Sequence, residues 1–373
     1  MTRRTSMSRG RARFAAMRKF QAEHAVPPDP WFHQIPKVEL HLHLEGAIPL
    51  PALWTLVQKY GGSPETPDLA ALEARFVYRD FPHFIDTWVW KNQFLREYED
   101  FTFIAEAAAR DLAAQNIRYV EAYFSPGDFA RVGLTPQELA VAIRTGLSRV
   151  PEIEIALVPN LIRDFGPSLG ARCLEAVHEV MDQGILGVGI GGSEQAYPPE
   201  PWQEVFERAR ELGLHTSCHA GEAAGAPSVW GAVRSLKANR IGHGTRAIED
   251  PALLEYLALH RIPIEMCPLS NVATGVVPSA EEHPIRKFYE AGVRISVNTD
   301  DPKMFGNSMA QELEMLEARH GFSRVEIQQL VLSGIETSWM PENRKKLMRE
   351  EFEAHPVWSW RVRPGAGARS KPR

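Results

Sequence analysis

The sequence has little of several features that mark particular classes of protein. Its 373 residues include three cysteines, Cys173, Cys218 and Cys267, too few and too scattered for a disulfide framework or a structural zinc site. No apolar run approaches the ~18 residues of a transmembrane helix. The 42 basic and 47 acidic residues give a formal net charge of −5, which excludes a strongly basic nucleic-acid binder. We therefore expect a cytoplasmic protein that binds neither a membrane nor a nucleic acid.

The two ends of the chain differ in composition from its body. Residues 1–30 form a basic stretch, beginning MTRRTSMSRGRARFAAMRKF, and are predicted to be a disordered leader. No apolar segment follows the Arg3-Arg4 pair, so a twin-arginine export signal is not favoured. Residues 356–373, rich in Gly, Pro and basic residues, are predicted to be a flexible tail. A single domain is expected over residues 31–355.

Short apolar runs alternate with amphipathic patterns along this domain, which predicts eight parallel strands separated by helices. The sheet could be open and doubly wound, but no G-x-G-x-x-G motif follows a strand to support the dinucleotide site of that form. A (β/α)8 TIM-type barrel is favoured, with a helical lid inserted after strand 1 at about residues 50–101. The predicted strands are Val38–Leu44, Ile117–Phe124, Ile153–Pro159, Leu186–Ile190, Leu214–Cys218, Arg240–Gly242, Ile262–Met266 and Val293–Asn298.

Residues 37–45 read KVELHLHLE, so apolar and polar residues alternate. On a strand, His41 and His43 share one face with Glu39 and Glu45, while the leucines lie on the other face. If the leucines face the surrounding helices, the two imidazoles point into the barrel about 7 Å apart, a spacing that can chelate a metal. Two histidines on a half-exposed strand are the alternative reading of the same pattern.

Three further strand ends carry polar residues of the same chemical types. His219 and Glu222 follow strand 5, His243 lies between two glycines after strand 6, and Asp300-Asp301 follows strand 8. Each fragment alone fits a core histidine, a solvated acid or a turn. Together they lie where a barrel builds its active site, which predicts a metal site.

Three histidines and one carboxylate suit zinc, with water completing the coordination. Binuclear barrel hydrolases usually need a bridging carboxylate on strand 4, often a carbamylated lysine. Strand 4 reads ILGVGIGGSE and has no lysine, so one zinc ion per chain is favoured.

Five fragments occur together in one order and spacing. They are HLHLEG at 41–46, HAGE at 219–222, GHGT at 242–245, CPLSN at 267–271 and NTDDP at 298–302. This combination resembles the adenosine deaminase family of the amidohydrolase superfamily, over about residues 35–353. The zinc signature of the cytidine deaminases, H-x-E with P-C-x-x-C, is absent from the sequence.

The resemblance implies a set of metal-binding and catalytic residues. Zinc would be held by His41, His43, His219 and Asp300, the last of which also counts among the catalytic groups. His243 would stabilise the attacking hydroxide, and Glu222 would carry a proton to the purine nitrogen N1. Attack at C6 pushes electrons onto N1, so Glu222 should be protonated, with a pKa raised by burial.

The resemblance also implies a set of substrate-binding residues. Asp301 would hydrogen-bond purine N7, and the backbone N–H of Gly192 would meet N3. Within residues 80–95, Phe81, Phe84, Ile85 and Trp88 are spaced for one helical face, and Phe84 and Trp88 would cover the sugar. An apolar face of this kind is more often core, but its place after strand 1 favours a lid.

The implied reaction is zinc-dependent hydrolytic deamination of a 6-aminopurine nucleoside, with adenosine ranked first. Many family members have Asp where this chain has Glu45, a position that binds the ribose 5′-hydroxyl, and a DLAGDE-like sequence where it has GIGGSE. The Ser193-Glu194 ending resembles adenine deaminase relatives. We therefore rank 6-aminodeoxyfutalosine, an adenosine with a carboxyphenyl-bearing 5′ extension, second and adenine third. A purine-binding barrel without turnover is disfavoured because every expected chemical residue is present.

Overall fold

The computed structural model describes residues 29–78 and 81–358, without the side chains of residues 81 and 82. Residues 1–28 of the predicted leader and residues 359–373 of the predicted tail lie outside the described residues. Asp29 and Pro30 already belong to the folded domain, since Asp29 accepts the N–H of Trp31 at 2.8 Å and caps the first helix.

Eight strands form one sheet in which each strand pairs in parallel with the next along the chain. The first and last strands are joined by the residues that directly follow the last strand. The N–H of Asp300 donates to the carbonyl of His41 at 3.1 Å, and the N–H of His43 donates to the carbonyl of Asp300 at 2.9 Å. The fold is a (β/α)8 barrel, as predicted, and not an open doubly wound sheet. The strands are β1 Lys37–His43, β2 Ile117–Phe124, β3 Glu154–Ile162, β4 Gly187–Gly191, β5 His215–Ala220, β6 Arg240–His243, β7 Ile264–Met266 and β8 Ile295–Val297.

Helices surround this barrel, and none within residues 29–78 and 81–358 is long and apolar enough to cross a membrane. The α-helices are α1 Pro30–Gln34, α2 Leu50–Lys59, α3 Leu69–Arg75, α4 Phe81–Asn92, α5 Tyr98–Ala114, α6 Pro126–Phe129, α7 Pro136–Leu147, α8 Pro167–His178, α9 Gln203–Glu211, α10 Ala226–Arg234, α11 Pro251–Leu259, α12 Pro268–Ala273, α13 Ile285–Glu290, α14 Pro302–Phe305, α15 Met309–His320, α16 Arg324–Thr337 and α17 Glu342–Glu353. The 3-10 turns are Glu45–Ala47, Ala130–Val132, Arg163–Phe165, Met181–Gln183, Glu200–Trp202, Thr245–Glu249 and Ala280–Glu282.

The apolar face of β1 packs against the helices, as its alternating pattern predicts. A Cβ added to Gly334 of α16 would lie 2.6 Å from Val38 Cγ2, so only a glycine lets that helix approach β1 so closely. Leu40 and Leu42 are fully buried on the same face. The opposite face, which carries His41 and His43, therefore points into the barrel.

The insertion after β1 consists of α2, α3 and α4, and the predicted stretch also takes in the start of α5. Phe84 of α4 is buried and stacks on Phe305 of α14 with ring centroids 5.2 Å apart. The predicted apolar face is wrong for Ile85, which is 41% exposed. One buried stripe is instead Phe84, Thr87, the half-buried Trp88 and Lys91, at positions i, i+3, i+4 and i+7, while the buried Trp90 packs on Phe94.

Candidate active site

The C-terminal ends of β1, β5 and β8 bring four predicted ligands together. His43 Nε2 lies 3.2 Å from His219 Nε2 and 3.4 Å from Asp300 Oδ1. His41 Nε2 lies 3.5 Å from the same carboxylate oxygen. All four side chains are buried. His243, at the end of β6, also joins this cluster, since one of its ring nitrogens lies within 4.8 Å of the ligand atoms of His41 and Asp300.

The donor atoms of this cluster are not satisfied by one another. His41 Nε2 and His219 Nδ1 are buried without a hydrogen-bond partner. Three imidazole nitrogens and a carboxylate oxygen converge, with neighbouring pairs 3.2–3.5 Å apart, an arrangement that a cation between them would stabilise. Imidazole nitrogens with one carboxylate form the donor set that zinc prefers in catalytic sites, so the residues present fit a zinc ion.

The orientation of His41 is fixed by Glu265 on β7, a residue that the sequence analysis missed. Its Oε2 lies 2.7 Å from His41 Nδ1, which turns Nε2 of the same ring toward Asp300. Although burial alone would raise it, the charge of Arg240 and the hydrogen bond with His41 lower the pKa of Glu265 to about 2. A carboxylate behind a ligating imidazole commonly orients the ring and raises its basicity.

Glu265 belongs to a deeper ion-pair network. Arg240 at the start of β6 donates from Nε to Glu265 Oε1 at 2.6 Å and from Nη1 to the carbonyl of Thr337 at 3.1 Å. Its third nitrogen pairs with Glu121 of β2, which also accepts the Tyr119 hydroxyl at 2.9 Å. Arg240, Glu121 and Glu265 are almost wholly buried, and every one of their charged atoms has a partner.

Asp300 and His243 share an unusual backbone conformation. Both lie in the left-handed region, with φ of 68° and 59°, which non-glycine residues adopt only when the surroundings stabilise it. The hydroxyl of Ser270 donates to Asp300 Oδ2 at 2.6 Å. That contact leaves the other carboxylate oxygen, Oδ1, facing the histidines.

His243 is positioned by Asn271 of α12, another residue without a role in the sequence analysis. Asn271 Nδ2 lies 3.2 Å from His243 Nδ1, and its Oδ1 accepts the Thr245 hydroxyl at 2.6 Å. Since the amide donates to Nδ1, the proton of the neutral ring lies on Nε2, which is 3.6 Å from Glu222 Oε2. Burial lowers the pKa of His243 to about 3, so the ring is neutral. Both Ser270 and Asn271 lie in the CPLSN fragment, which was the signal for them.

Glu222 lies on the loop after β5, with 23% of its side chain exposed. Burial, followed by the charges of Asp300 and Glu194, raises the pKa of Glu222 to about 8, as expected for a proton donor. Glu194, after β4, holds this loop by accepting four backbone N–H groups. These are the N–H groups of Gly221 at 2.6 Å, Glu222 at 3.2 Å, Ala223 at 2.6 Å and Ala224 at 2.8 Å.

Glu45 and Asp301 lie next to the ligand cluster, and each carries an unpartnered oxygen. Glu45 Oε1 accepts the N–H of Ser125 at 2.8 Å, whereas Glu45 Oε2 and Asp301 Oδ1 are buried without a hydrogen bond. A Cβ on Gly46 would lie 1.8 Å from Asp301 Oδ1, so the Glu45-Gly46 turn requires glycine. Gly192, with a φ of 99°, lies exposed on the loop after β4.

The lid helix α4 lies over the same end of the barrel. Phe84 stacks on Phe305, four residues after Asp301, and Trp88 is half-buried nearby on the same helix. The structure therefore brings Phe84, Trp88, Glu45, Asp301 and the ligand cluster to one end of the barrel.

The sequence profile described as adenosine deaminase matches residues 36–355 of the chain. The chain belongs to the adenosine deaminase family. It is a hydrolytic deaminase by this membership and by its relatives, whose names differ in substrate. It is 33% identical to the aminodeoxyfutalosine deaminase of Streptomyces coelicolor over 345 residues, 89% of both chains.

Two further relatives carry other substrate names. The chain is 33% identical to the adenine deaminase of Albidiferax ferrireducens over 319 residues, covering 84% of this chain and 91% of that one. It is 35% identical to the adenosine deaminase of Shewanella loihica over 326 residues, covering 84% and 97%. Identities this close do not separate the three substrates.

A crystal structure supports the metal assignment of the family. An amidohydrolase from Burkhoderia ambifaria with bound Zn superimposes with a TM-score of 0.80 and 28% identity, covering 87% of this chain and 91% of that one. The His and Asp cluster of this chain has the ligand types that such a metal needs.

Proposed function

We propose that the chain holds one zinc ion and hydrolyses the 6-amino group of a purine nucleoside, with adenosine as the preferred substrate. The observation that carries the choice of a nucleoside is the buried, unpartnered Oε2 of Glu45. A buried carboxylate oxygen costs free energy unless a ligand donates a hydrogen bond to it. A sugar hydroxyl can donate that bond, whereas free adenine has no hydroxyl.

In this proposal His41, His43, His219 and Asp300 hold the metal. The chemistry that zinc supplies when bound is a water molecule deprotonated near neutral pH. The neutral His243, whose Nε2 proton faces Glu222, stabilises the oxygen that attacks C6 of the purine. This role requires the ring to stay neutral, in keeping with its lowered pKa.

Glu222 acts as the proton carrier. As the bond from oxygen to C6 forms, electrons move onto N1, and the protonated carboxyl of Glu222 gives N1 its proton. The bond from C6 to the amino nitrogen then breaks, and that nitrogen leaves as ammonia with a proton from the attacking water. Asp301 at N7 and the N–H of Gly192 at N3 orient the ring, while Phe84 and Trp88 exclude water from above.

A second candidate is 6-aminodeoxyfutalosine, favoured by the likeness to the Streptomyces coelicolor enzyme over 89% of both chains. Its 5′ extension replaces the 5′-hydroxyl of adenosine, so only the 2′- or 3′-hydroxyl of its ribose could donate to Glu45. Adenine ranks third because it leaves Glu45 Oε2 without a partner.

The test is kcat/KM for adenosine, deoxyadenosine, aminodeoxyfutalosine and adenine in parallel, followed as the loss of absorbance near ~265 nm, together with elemental analysis. We expect adenosine to be the best substrate and about one zinc ion per chain. Two tightly bound metal ions per chain would contradict the mononuclear site. A zinc-loaded protein that deaminates none of the four would overturn the proposal in favour of a purine-binding barrel without turnover.

A further inference from the structure

The lid helix α4 buries a lysine on the face that it turns toward the barrel. Lys91 is 1% exposed, although lysine is almost never fully buried without partners. Its ammonium donates to Asn92 Oδ1 at 2.7 Å and lies 3.8 Å from the centroid of the Trp88 ring. An ammonium has three N–H donors, and the described residues accept a hydrogen bond from only one of them.

The charges that act on Lys91 belong to the substrate pocket. Burial lowers the pKa of the ammonium to about 8, opposed by the carboxylates of Glu45, Asp301 and Asp128, in that order. Contacts link the two residues, since Glu45 Oε1 accepts the backbone N–H directly before α6, the helix that carries Asp128, and the Trp88 side chain is hydrogen-bonded to Asp128. Among the described carboxylates, however, none forms a direct ion pair with Lys91. Lys91 and Glu45 therefore lie in the same part of the substrate end of the barrel without a direct hydrogen bond or ion pair between them.

Lys91 and Glu45 each have an unused hydrogen-bonding atom. Lys91 has spare N–H donors, and Glu45 Oε2 is a buried acceptor without a partner. A hydroxyl group matches both residues, because its oxygen accepts from the ammonium while its O–H donates to the carboxylate. An anionic group would match Lys91 but would be repelled by Glu45, Asp128 and Asp301. The local charge therefore favours an uncharged, hydroxyl-bearing ligand.

We propose that Lys91 is a substrate-binding residue that, together with Glu45, binds one sugar hydroxyl of the nucleoside and so distinguishes nucleosides from free bases. This inference rests on the proposed function and adds Lys91 to the groups that bind the sugar. The Trp88 ring, one turn earlier on α4, packs against the ammonium and fixes its position. Sugar binding would therefore depend on the position of α4.

The experiment compares Lys91→Met with wild type as the zinc-loaded full chain, and uses Lys346→Met on the exposed surface of α17 as the matched control. We expect Lys91→Met to lower kcat/KM for adenosine about 10- to 100-fold, the scale of a hydrogen bond to a charged group. Because the bond is present before and during the reaction, the loss should fall mainly on KM. The adenine reaction should change less than about threefold, and the control variant should match wild type.

The 2′-, 3′- and 5′-deoxyadenosines identify which hydroxyl Lys91 binds. Lys91→Met should have no effect on the deoxyadenosine that lacks that hydroxyl. The variant Glu45→Gln/Lys91→Met should lose less than the product of the two single losses, since both act on one group. Calorimetry with the product inosine should show the same weakening of Kd in Lys91→Met, with hypoxanthine unaffected. Zinc content and Tm show that each variant is folded.

Equal losses for adenosine and adenine, or no loss at all, would overturn the role of Lys91 while leaving the proposed function in place. A wild-type preference for a nucleoside with a carboxylate or phosphate at the 5′ end, lost in Lys91→Met, would overturn the hydroxyl in favour of an anionic group. A wild type that deaminates no aminopurine overturns the proposed function and this inference together.

Discussion

The barrel contains two groups of buried charges that differ in how completely they are paired. In the deeper group, the charged atoms of Arg240, Glu121 and Glu265 all have partners, either one another or nearby hydroxyl and carbonyl groups. In the rim group, Glu45 and Asp301 each keep an unpartnered oxygen, and Lys91 keeps spare donors. The paired charges of the deeper group stabilise the geometry of the barrel, whereas the unsatisfied atoms of the rim group are available to bind a ligand.

The strongest way to break this comparison is to remove a metal ligand at the rim. His219→Ala should reduce bound zinc far below one ion per chain and reduce activity to background, because it removes one of the imidazole donors that would hold the ion. Elemental analysis and kcat/KM for adenosine measure both effects. His33→Ala, an exposed histidine of α1, should leave both unchanged. Activity lost with zinc fully retained would show that His219 is not a ligand.

The next largest effect should come from Glu222→Gln, which removes the proton but keeps the shape of the side chain. We expect a loss of about 10²-fold or more in kcat with zinc retained, and no loss in Glu204→Gln on the exposed face of α9. A variant within a few fold of wild type would show that another group protonates N1.

The pH profile gives a second measure of the same residue. Glu222 must be protonated to donate, and its pKa is raised to about 8, so kcat/KM should fall as the pH rises through that value. Above it, the loss approaches tenfold per pH unit. The residual activity of Glu222→Gln should lack this alkaline decline, and an unchanged profile in the variant would assign the decline to a different group.

The two charge groups can be compared directly by neutralising one carboxylate in each. Glu265→Gln breaks a paired charge, so it should lower stability by about 3 kcal/mol and zinc affinity by about 10- to 100-fold. Asp301→Asn neutralises a carboxylate that burial already disfavours. It should therefore keep the Tm of wild type while lowering kcat/KM by about tenfold or more. Equal losses of Tm would refute the division into structural and ligand-binding charges.

The smallest effect is expected for the cysteines. Burial raises the pKa of Cys218 to about 12, so it does not supply a thiolate, and Cys267 is a free buried thiol directly after β7. The double variant Cys218→Ser/Cys267→Ser should keep kcat/KM within about threefold of wild type. Loss of chemistry in a variant that keeps its Tm would contradict a purely structural role.

The sequence predicted the rim better than the deeper network, for physical reasons. That His41, His43, His219 and Asp300 lie together could be predicted because strand alternation sets which side chains point inward and a barrel brings its strand ends to one face. The pairing of His41 with Glu265 spans 224 residues of sequence, and no local pattern reports it.

The inward position of Lys91 cannot be predicted from the sequence for a different reason. Helical spacing of the apolar residues alone predicts Ile85 on the buried face, where the structure has the polar Thr87 and Lys91. A polar residue at position i+7 of a buried stripe carries no periodic signal of its own. Only the contact between α4 and the barrel shows that it faces inward.

The meeting of β1 and β8 has a consequence for the motions of the barrel. The first and last strands are joined there by the backbone of His41, His43 and Asp300, and Leu40 donates to Asn298 Oδ1, 258 residues along the chain. A metal held by these same residues would act as a clip that closes this long chain loop. Removing the metal with a chelator should therefore speed amide hydrogen exchange first along this seam, and β1 and β8 would separate before the rest of the barrel opens.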